Sequence, residues 1–144
     1  MRIIIKEAGV EYRIAKNHKV STPQDAAMHV AEIKNSDVEC FAVLCLDTKN
    51  GLRIAEVVTK GLLDASLVHP REVFRTAIAK SAASIVLAHN HPSGDVTPSM
   101  EDICITRQLV EAGKVVDIKV LDHVIVGPGT DNVHSMREEG MVDF

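Results

Sequence analysis

Residues 84–102, SIVLAHNHPSGDVTPSMED, contain two changes of pattern that decide the fold around them. The apolar run over 84–90 has the length of a buried strand and ends in two histidines that are separated by one residue. The segment PSGDVT is rich in turn-forming residues and cannot continue that strand. Thr97-Pro98 then offers an N-cap and a first helical position, which predicts a helix from near Pro98 to about Gly113. The stretch therefore predicts a strand, a turn and a helix, with polar side chains at both ends of the turn.

Outward from this stretch, the chain alternates between strand and helix patterns. The predicted strands are a hairpin over Arg2 to Lys16 that turns near Ala8-Gly9, then 40–47, about 52–59 after an Asn50-Gly51 turn, and 118–127. The predicted helices begin at Thr22-Pro23, with Ala26, Ala27, Val30 and Ile33 on one face, and at His69-Pro70, with Val73, Ala77 and Ile78 facing inward. This order predicts an α+β domain, or a three-layer one, around a mainly antiparallel or mixed sheet. We assign residues 1–21 to an N-terminal hairpin or extension and 22–144 to the main domain.

The composition is that of an ordinary globular protein. The chain has 144 residues, of which 46% are hydrophobic and 25% are charged. No apolar run has the roughly 20 residues of a membrane span, and the N-terminus does not have the pattern of a signal peptide. We therefore expect a cytoplasmic protein. Its three cysteines, Cys40, Cys45 and Cys104, show no C-x-x-C spacing and are predicted to be small buried hydrophobic residues.

The charge balance bears on the class of partner. The net charge is −4, and the lysines and arginines are dispersed along the chain. Phosphate neutralisation dominates the affinity of proteins that bind nucleic acid on their own, and it needs a basic excess. The sequence therefore argues against autonomous nucleic-acid binding.

The histidines and the first turn of the following helix together predict a metal site. His89 and His91 project from the same side of their strand, because side chains alternate along a strand. Ser99 and Asp102 are three residues apart, which places them on one face of a helix. Two neutral imidazoles and one carboxylate provide three ligands and leave a fourth position for water, which is the pattern of a catalytic zinc site.

A second interpretation explains part of the same stretch without a metal. S-x-x-D ahead of an apolar run is also the signature of a capping box, in which Ser99 or Thr97 satisfies helix amides and Asp102 lies at the positive end of the helix dipole. Capping does not account for two histidines at strand spacing directly upstream. The metal interpretation is therefore the stronger one.

The complete pattern, H-x-H, seven residues, S, two residues, D, resembles the JAMM motif of the JAB/MPN metalloprotease family, and in particular its RadC-like branch. The resemblance continues in FAVLCLDTKN, GLLDASLVHPREVF and LDHVIVG, and it covers about Thr22 to Gly127. It implies a zinc-binding three-layer fold of the cytidine-deaminase-like kind, with a mixed sheet flanked by helices. It also implies His89, His91 and Asp102 as zinc ligands, and Ser99 as a group that stabilises the oxyanion of a tetrahedral intermediate.

The family also uses a glutamate that takes a proton from the metal-activated water and passes it to the leaving amine. Its usual place, at the start of an early core strand, matches Glu39, and Glu56 on the returning strand is the rival. Other polar residues have ordinary explanations. In particular, His123 alternates with apolar neighbours and is predicted to be a hydrogen-bonded structural histidine.

The predicted function is that of a zinc-dependent peptidase or isopeptidase acting on a peptide or protein substrate. The alternative is a RadC-type accessory protein of DNA repair or mobile elements, whose zinc site is secondary or unused. RadC proteins usually carry a helical, DNA-associated region ahead of this domain, and with some twenty residues before Pro23 the chain is expected to be a standalone domain without it. A zinc nucleobase deaminase is disfavoured, because the H-x-E and P-C-x-x-C patterns are missing.

Overall fold

The computed structural model describes residues 2–7, 10–15, 18–61, 68–129 and 131–144. Its strands are β1 (Arg2–Glu7), β2 (Val10–Ala15), β3 (Cys40–Leu46), β4 (Leu52–Lys60), β5 (Ser84–Asn90), β6 (Lys119–Val126) and β7 (Val133–Ser135). Its helices are α1 (Pro23–His29), α2 (Ala31–Lys34), α3 (Pro70–Ala79) and α4 (Met100–Val116). Strands β1 and β2 pair with each other, and the other five form one sheet in the order β4-β3-β5-β6-β7.

Strand β5 is the centre of the five-stranded sheet. It pairs antiparallel with β3 and parallel with β6, so the sheet is mixed. All seven of its residues are buried, which is why the segment is almost continuously apolar instead of alternating.

The two faces of the sheet have separate cores. On β3, Phe41, Val43 and Cys45 face one core, which α3 and α4 cover. Ala42, Leu44 and Leu46 face the other core, which α1 and α2 cover. The predicted α+β architecture, a mixed sheet between helices, is confirmed.

A bulge in β6 decides which of its side chains reach the α4 side. Val120 pairs with Ile85 and Asp122 pairs with Val86, so Leu121 is an extra residue between consecutive rungs. Beyond the bulge, His123 lies opposite Leu87, whose side chain faces the core under α3 and α4. Without the extra residue, His123 would face the opposite side of the sheet.

Most predicted elements are confirmed, with differences that have local causes. The strands of the N-terminal hairpin pair antiparallel as predicted, and the turn at Ala8-Gly9 lies outside the described residues. The predicted inward position of Ile78 is wrong, because that side chain is 58% exposed and Phe74 is buried in its place. The prediction that Cys104 is buried is also wrong, because this residue is exposed, whereas Cys40 and Cys45 are buried as predicted.

Gly113 is not the end of the third predicted helix. Helix α4 continues to Val116 and ends at Asp117, which adopts the left-handed conformation with φ 58. A Cβ atom on Gly113 would lie 2.4 Å from the carbonyl oxygen of Ile118. Glycine is therefore needed there because the returning chain passes close to the helix backbone.

Among the described residues, no helix is both long and apolar enough to cross a membrane.

Candidate metal centre

The two histidines stand at the carboxyl end of β5. His89 is 1% exposed, and its neighbour in β3 is Phe41. His91 lies just beyond the strand, but its backbone N–H donates to the Val126 carbonyl at 2.9 Å, so the ladder with β6 extends to it. Strand alternation therefore directs both imidazoles to the side of the sheet that α4 covers.

Helix α4 brings the carboxylate to the same place. Ser99 is its N-cap: the Ser99 hydroxyl accepts from the Asp102 N–H at 3.0 Å, and Asp102 Oδ2 accepts from the Ser99 N–H at 2.9 Å. The prediction that Thr97 caps this helix and Pro98 begins it is wrong, because the helix begins at Met100 with Ser99 as its N-cap. Thr97 lies in the preceding turn, where its N–H donates to Asp95 Oδ1 at 3.0 Å. The capping box and the approach of Asp102 to the histidines occur together, so the two interpretations of this stretch do not exclude each other.

Three ligand atoms converge at this point. His89 Nε2 and His91 Nε2 are 2.8 Å apart. Asp102 Oδ2 lies 3.4 Å from the first and 3.2 Å from the second. Zinc–ligand bonds of 2.0–2.1 Å at tetrahedral angles separate two ligands by about 3.3 Å. The donor set and its spacing therefore fit a zinc ion, and it is the one cluster of three or more such groups among the described residues.

Hydrogen bonding leaves the converging nitrogen of His91 without a proton when the ring is neutral. Its other nitrogen, Nδ1, lies 2.7 Å from the carbonyl oxygen of Asp95. A carbonyl oxygen can only accept, so Nδ1 carries the proton and Nε2 presents a lone pair. Since lone pairs and a carboxylate repel one another at these distances, the cluster needs a shared proton or a cation.

The titration of the cluster follows from the same contacts. Burial opposes a charge on His91, but the Asp102 carboxylate and the Asp95 carbonyl outweigh it and raise the pKa of His91. Burial likewise opposes ionisation of Asp102, but the neighbouring imidazoles of His89 and His91 outweigh it and hold the pKa of that carboxyl well below its ordinary value. The site is therefore built to keep a carboxylate beside a positive charge.

Two more buried side chains lie behind His89. His89 Nδ1 is 2.7 Å from His123 Nε2, and His123 Nδ1 is 2.5 Å from the Thr106 hydroxyl. Burial, followed by the charge of His89, holds the pKa of His123 well below its ordinary value. His123 is therefore a hydrogen-bonded histidine, as its strand pattern predicted, and its partner is a candidate ligand.

Glu39 lies beside the cluster. Phe41 pairs with His89 in the antiparallel ladder, and continuing that register by two residues places Glu39 opposite His91 on the same face. Its negative charge contributes to the raised pKa of His91, after the larger contributions of burial, Asp102 and Asp95. The side chain is half-buried, and its backbone carbonyl accepts from Gly61 N–H at 2.9 Å.

Asn90 holds the backbone on both sides of Glu39. Its side-chain oxygen accepts from the Cys40 N–H at 2.6 Å, and its amide nitrogen donates to the carbonyl oxygens of Val38 at 3.0 Å and Ser36 at 3.4 Å. Asn90 is fully buried and faces away from the histidines. The middle residue of H-x-H therefore fixes the segment that carries Glu39 to the strand that carries the histidines.

Glu56, the rival glutamate, has a different partner. Glu56 lies on the edge strand β4 and pairs with Val43 of β3, which is two residues along that strand from Phe41. Its Oε2 accepts a hydrogen bond from the hydroxyl of Thr76 on α3. The structure thus places Glu56 against α3, away from the end of β5.

Comparison with known proteins agrees with this arrangement. The family profile described as "RadC-like JAB domain" matches residues 20–141, which span the sheet, α1 to α4 and every residue of the cluster. The chain belongs to the RadC-like JAB domain family.

Relatives of this RadC-like JAB domain carry the name UPF0758 protein. The chain is 48% identical over 130 residues to UPF0758 protein TTE0897 of Caldanaerobacter subterraneus, and this alignment covers 90% of the chain and 55% of that protein. It is 48% identical over 125 residues to UPF0758 protein Mbar_A2303 of Methanosarcina barkeri, covering 86% and 54%. It is 56% identical over 105 residues to UPF0758 protein STH371 of Symbiobacterium thermophilum, covering 73% and 44%. The chain thus spans about half the length of the curated relatives that it matches.

Sequence reasoning missed the roles of Asn90 and Thr106 at this metal centre, although both leave a signal. It also missed that His123 contacts a candidate ligand. A buried strand has no water for the side-chain amide of Asn90, so that amide must have protein partners. Thr106 follows Asp102 by four residues and therefore lies on the same face of α4. His123 gives no such signal, because its orientation depends on the bulge at Leu121.

Proposed function

We propose that this domain is a zinc-dependent hydrolase that cleaves a peptide or isopeptide bond in a peptide or protein substrate. One observation carries the proposal: His89, His91 and Asp102 direct three lone-pair atoms at one point, with Ser99 and Glu39 beside it. A structural polar network would instead pair each acceptor with a donor.

The donor set favours zinc among the common metals. Two imidazole nitrogens and one carboxylate oxygen suit zinc, whereas calcium and magnesium prefer sets made of oxygen atoms alone. Three protein ligands also leave a coordination position open, which is typical of catalytic and not of structural zinc. A zinc ion held by His89, His91 and Asp102 would polarise the substrate carbonyl and would lower the pKa of the attacking water toward about 7.

Glu39 is the proposed general base. Its register position opposite His91 places a carboxylate at the edge of the cluster, on the side of β3. There it takes a proton from the attacking water and gives that proton to the nitrogen of the leaving amine. No side chain of the cluster has to form a covalent bond to the substrate.

Ser99 is the proposed donor to the oxyanion. Its hydroxyl oxygen accepts from the Asp102 N–H, which leaves the hydroxyl proton available to a substrate oxygen. Helix α4 begins directly after this residue, so the positive end of its dipole also faces the developing charge. Capping and catalysis use different parts of the same hydroxyl group.

The proposal is tested by incubating the zinc-loaded protein with peptide and isopeptide libraries and following the products by mass spectrometry. The control is Glu39→Gln with the same zinc content. We expect cleavage products from the wild-type protein and none above background from the variant. Equal products from both proteins would remove Glu39 from the mechanism, and salt-dependent binding of DNA without any amide cleavage would favour the accessory role.

A further inference from the structure

A chain of buried hydrogen bonds runs from His89 back to the helix that supplies Asp102. His89 Nδ1 is 2.7 Å from His123 Nε2, and His123 Nδ1 is 2.5 Å from the Thr106 hydroxyl oxygen. That hydroxyl is 2.6 Å from the backbone carbonyl oxygen of Asp102. None of these four residues is more than 6% exposed.

The position of each proton follows from the far end of this chain. The Thr106 hydroxyl has one proton, and its acceptors are the Asp102 carbonyl oxygen at 2.6 Å and the Met136 sulfur at 3.5 Å. Neither acceptor can donate, so the hydroxyl proton points away from His123. The short contact between Thr106 and His123 is therefore a hydrogen bond donated by His123 Nδ1.

The remaining nitrogen of His123 then has to accept. The ring nitrogens contact only an imidazole and a hydroxyl among the described residues, and Phe41 packs against the ring with centroids 5.4 Å apart. A doubly protonated ring would be a buried cation without a hydrogen-bonded carboxylate, which is costly. His123 is therefore neutral with its proton on Nδ1, and its bare Nε2 accepts from His89 Nδ1–H.

We propose that His123 and Thr106 are positioning residues that hold His89 in the tautomer with the proton on Nδ1. His89 Nε2 then presents a lone pair to the metal before any metal is bound. The backbone carbonyl of Asp95 likewise holds the Nδ1 proton of His91, so Nε2 of each ring is the atom that faces the metal position. This inference rests on the proposed function only in taking the ion at this site to be zinc.

The arrangement also joins two ligands on different elements. Asp102 offers its side chain to the metal and its backbone carbonyl to Thr106, whereas His89 offers one ring nitrogen to the metal and the other to His123. The network therefore closes a ring that connects β5, β6 and α4 through the metal position. Partners of this kind orient the ligands, and their loss typically weakens metal binding by about 10- to 100-fold.

The first test reads the tautomers directly in the metal-free protein. Nitrogen-15 labelling of the histidines and long-range proton–nitrogen correlation spectra at pH 8 distinguish a proton on Nδ1 from one on Nε2. We expect His89 and His123 to carry it on Nδ1. A proton on Nε2 of His89 would overturn the inference.

The second test compares two substitutions of Thr106 in a competition assay for zinc. Thr106→Val keeps the branched shape and removes the hydroxyl, whereas Thr106→Ser keeps the hydroxyl. We expect Thr106→Val to weaken zinc binding by about 10- to 100-fold, and Thr106→Ser to stay close to the wild type. Equal affinities in the two variants would contradict the role of the hydroxyl, and the tautomer measurement remains decisive if Thr106→Val does not fold.

The two tests separate this inference from the proposed function. Failure of the wild-type protein to bind zinc would remove the proposed function, while the tautomers of the metal-free protein would still decide the inference. Tight zinc binding with His89 in the other tautomer would remove the inference and leave the proposed function standing.

Discussion

The Ser99 hydroxyl shows how one side chain combines a structural and a chemical role. Its oxygen accepts from the Asp102 N–H in the resting protein, so removing it costs helix stability. Its proton acquires a partner only when substrate is present. The sequence suggested that Thr97 would act as the cap and free Ser99 from that role, but the Thr97 N–H belongs to the turn that Asp95 forms.

We therefore expect Ser99→Ala to lose both stability and activity. Loss of the cap should lower the free energy of unfolding by about 1 kcal/mol. Loss of the oxyanion donor should lower kcat by about 100-fold or more with little change in KM. Chemical denaturation and steady-state turnover on one preparation, at equal zinc content, measure the two effects.

Thr22→Ala is the matched control for Ser99→Ala. Thr22 forms a capping box of the same kind on α1, with its hydroxyl accepting from the Asp25 N–H at 3.1 Å, on the opposite side of the sheet. It should lose similar stability and keep full turnover. If Ser99→Ala behaves in the same way as this control, Ser99 is a cap and nothing more.

Single substitutions also distinguish the two glutamates, Glu39 and Glu56. Neither is in the ligand cluster, so both Glu39→Gln and Glu56→Gln should retain zinc. Glu39→Gln should lower turnover by roughly 100- to 10,000-fold, the usual contribution of a positioned general base. Glu56→Gln alters contacts against α3, such as the one with Thr76, and should remain within a few-fold of the wild type, about 1 kcal/mol of barrier or less. The reverse order of activities would make Glu56 the base.

At the scale of elements, local patterns predicted the parts that supply ligands. Strand β5 is observed over the predicted residues 84–90, because the five apolar or small residues from Ser84 to Ala88 favour a buried strand and a turn segment follows the histidines. The approach of α4 also follows from sequence, since a Pro/Gly turn must reverse the chain over the end of the strand.

Other elements depend on contacts that the sequence does not display. The bulge at Leu121 is set by pairing with β5, and it alone turns His123 toward the site. Strand β7 has three residues, too few for any periodicity, and forms because it pairs with β6. Asn90 could be predicted to be buried, but not to bind the segment before β3, because that segment is some 50 residues away in the chain.

The hydrogen bonds from the Asn90 side chain connect β5 to the start of β3, and they lead to a prediction for Asn90→Leu. The substitution keeps the side chain close to its size and leaves the Cys40 N–H and the Val38 carbonyl without their partner. A buried N–H without an acceptor costs about 1–3 kcal/mol, so the loss at Cys40 should destabilise the variant by an amount of that order. Turnover should fall while zinc content is retained, since Glu39 is loosened and the ligands are not.

Denaturation, metal analysis and turnover of Asn90→Leu are compared with those of Thr22→Ala, which is also destabilised but away from the site. Turnover equal to the control at temperatures where both are folded would show that Asn90 supports the fold alone.

At the scale of the whole molecule, the metal position joins β5 to α4 and should stabilise the fold. The reactivity of the Cys45 thiol reports on this stabilisation, because burial and the charge of Glu56 raise the pKa of the thiol to about 12. It should react with alkylating reagents at pH 8 only when the protein unfolds, whereas the exposed Cys104 should react at once.

Zinc should therefore slow the alkylation of Cys45. At free zinc 100 times its dissociation constant, unfolding costs about 2.7 kcal/mol more, which lowers the rate by about 100-fold when refolding is faster than labelling. Mass spectrometry of labelled peptides gives the rates for Cys45 and Cys104 separately. In His91→Ala the effect of zinc should disappear, and an unchanged rate in the wild-type protein would show that the ion does not join the two elements.

Metal analysis after equilibrium dialysis tests whether His89, His91 and Asp102 together hold one zinc ion. The wild-type protein and Glu39→Gln should each contain close to one equivalent of zinc. His89→Ala, His91→Ala and Asp102→Ala should each retain a small fraction of that amount at the same free zinc concentration, while remaining folded by circular dichroism. Zinc content that is unchanged in all three ligand variants, or that is absent from the wild-type protein, would contradict the account.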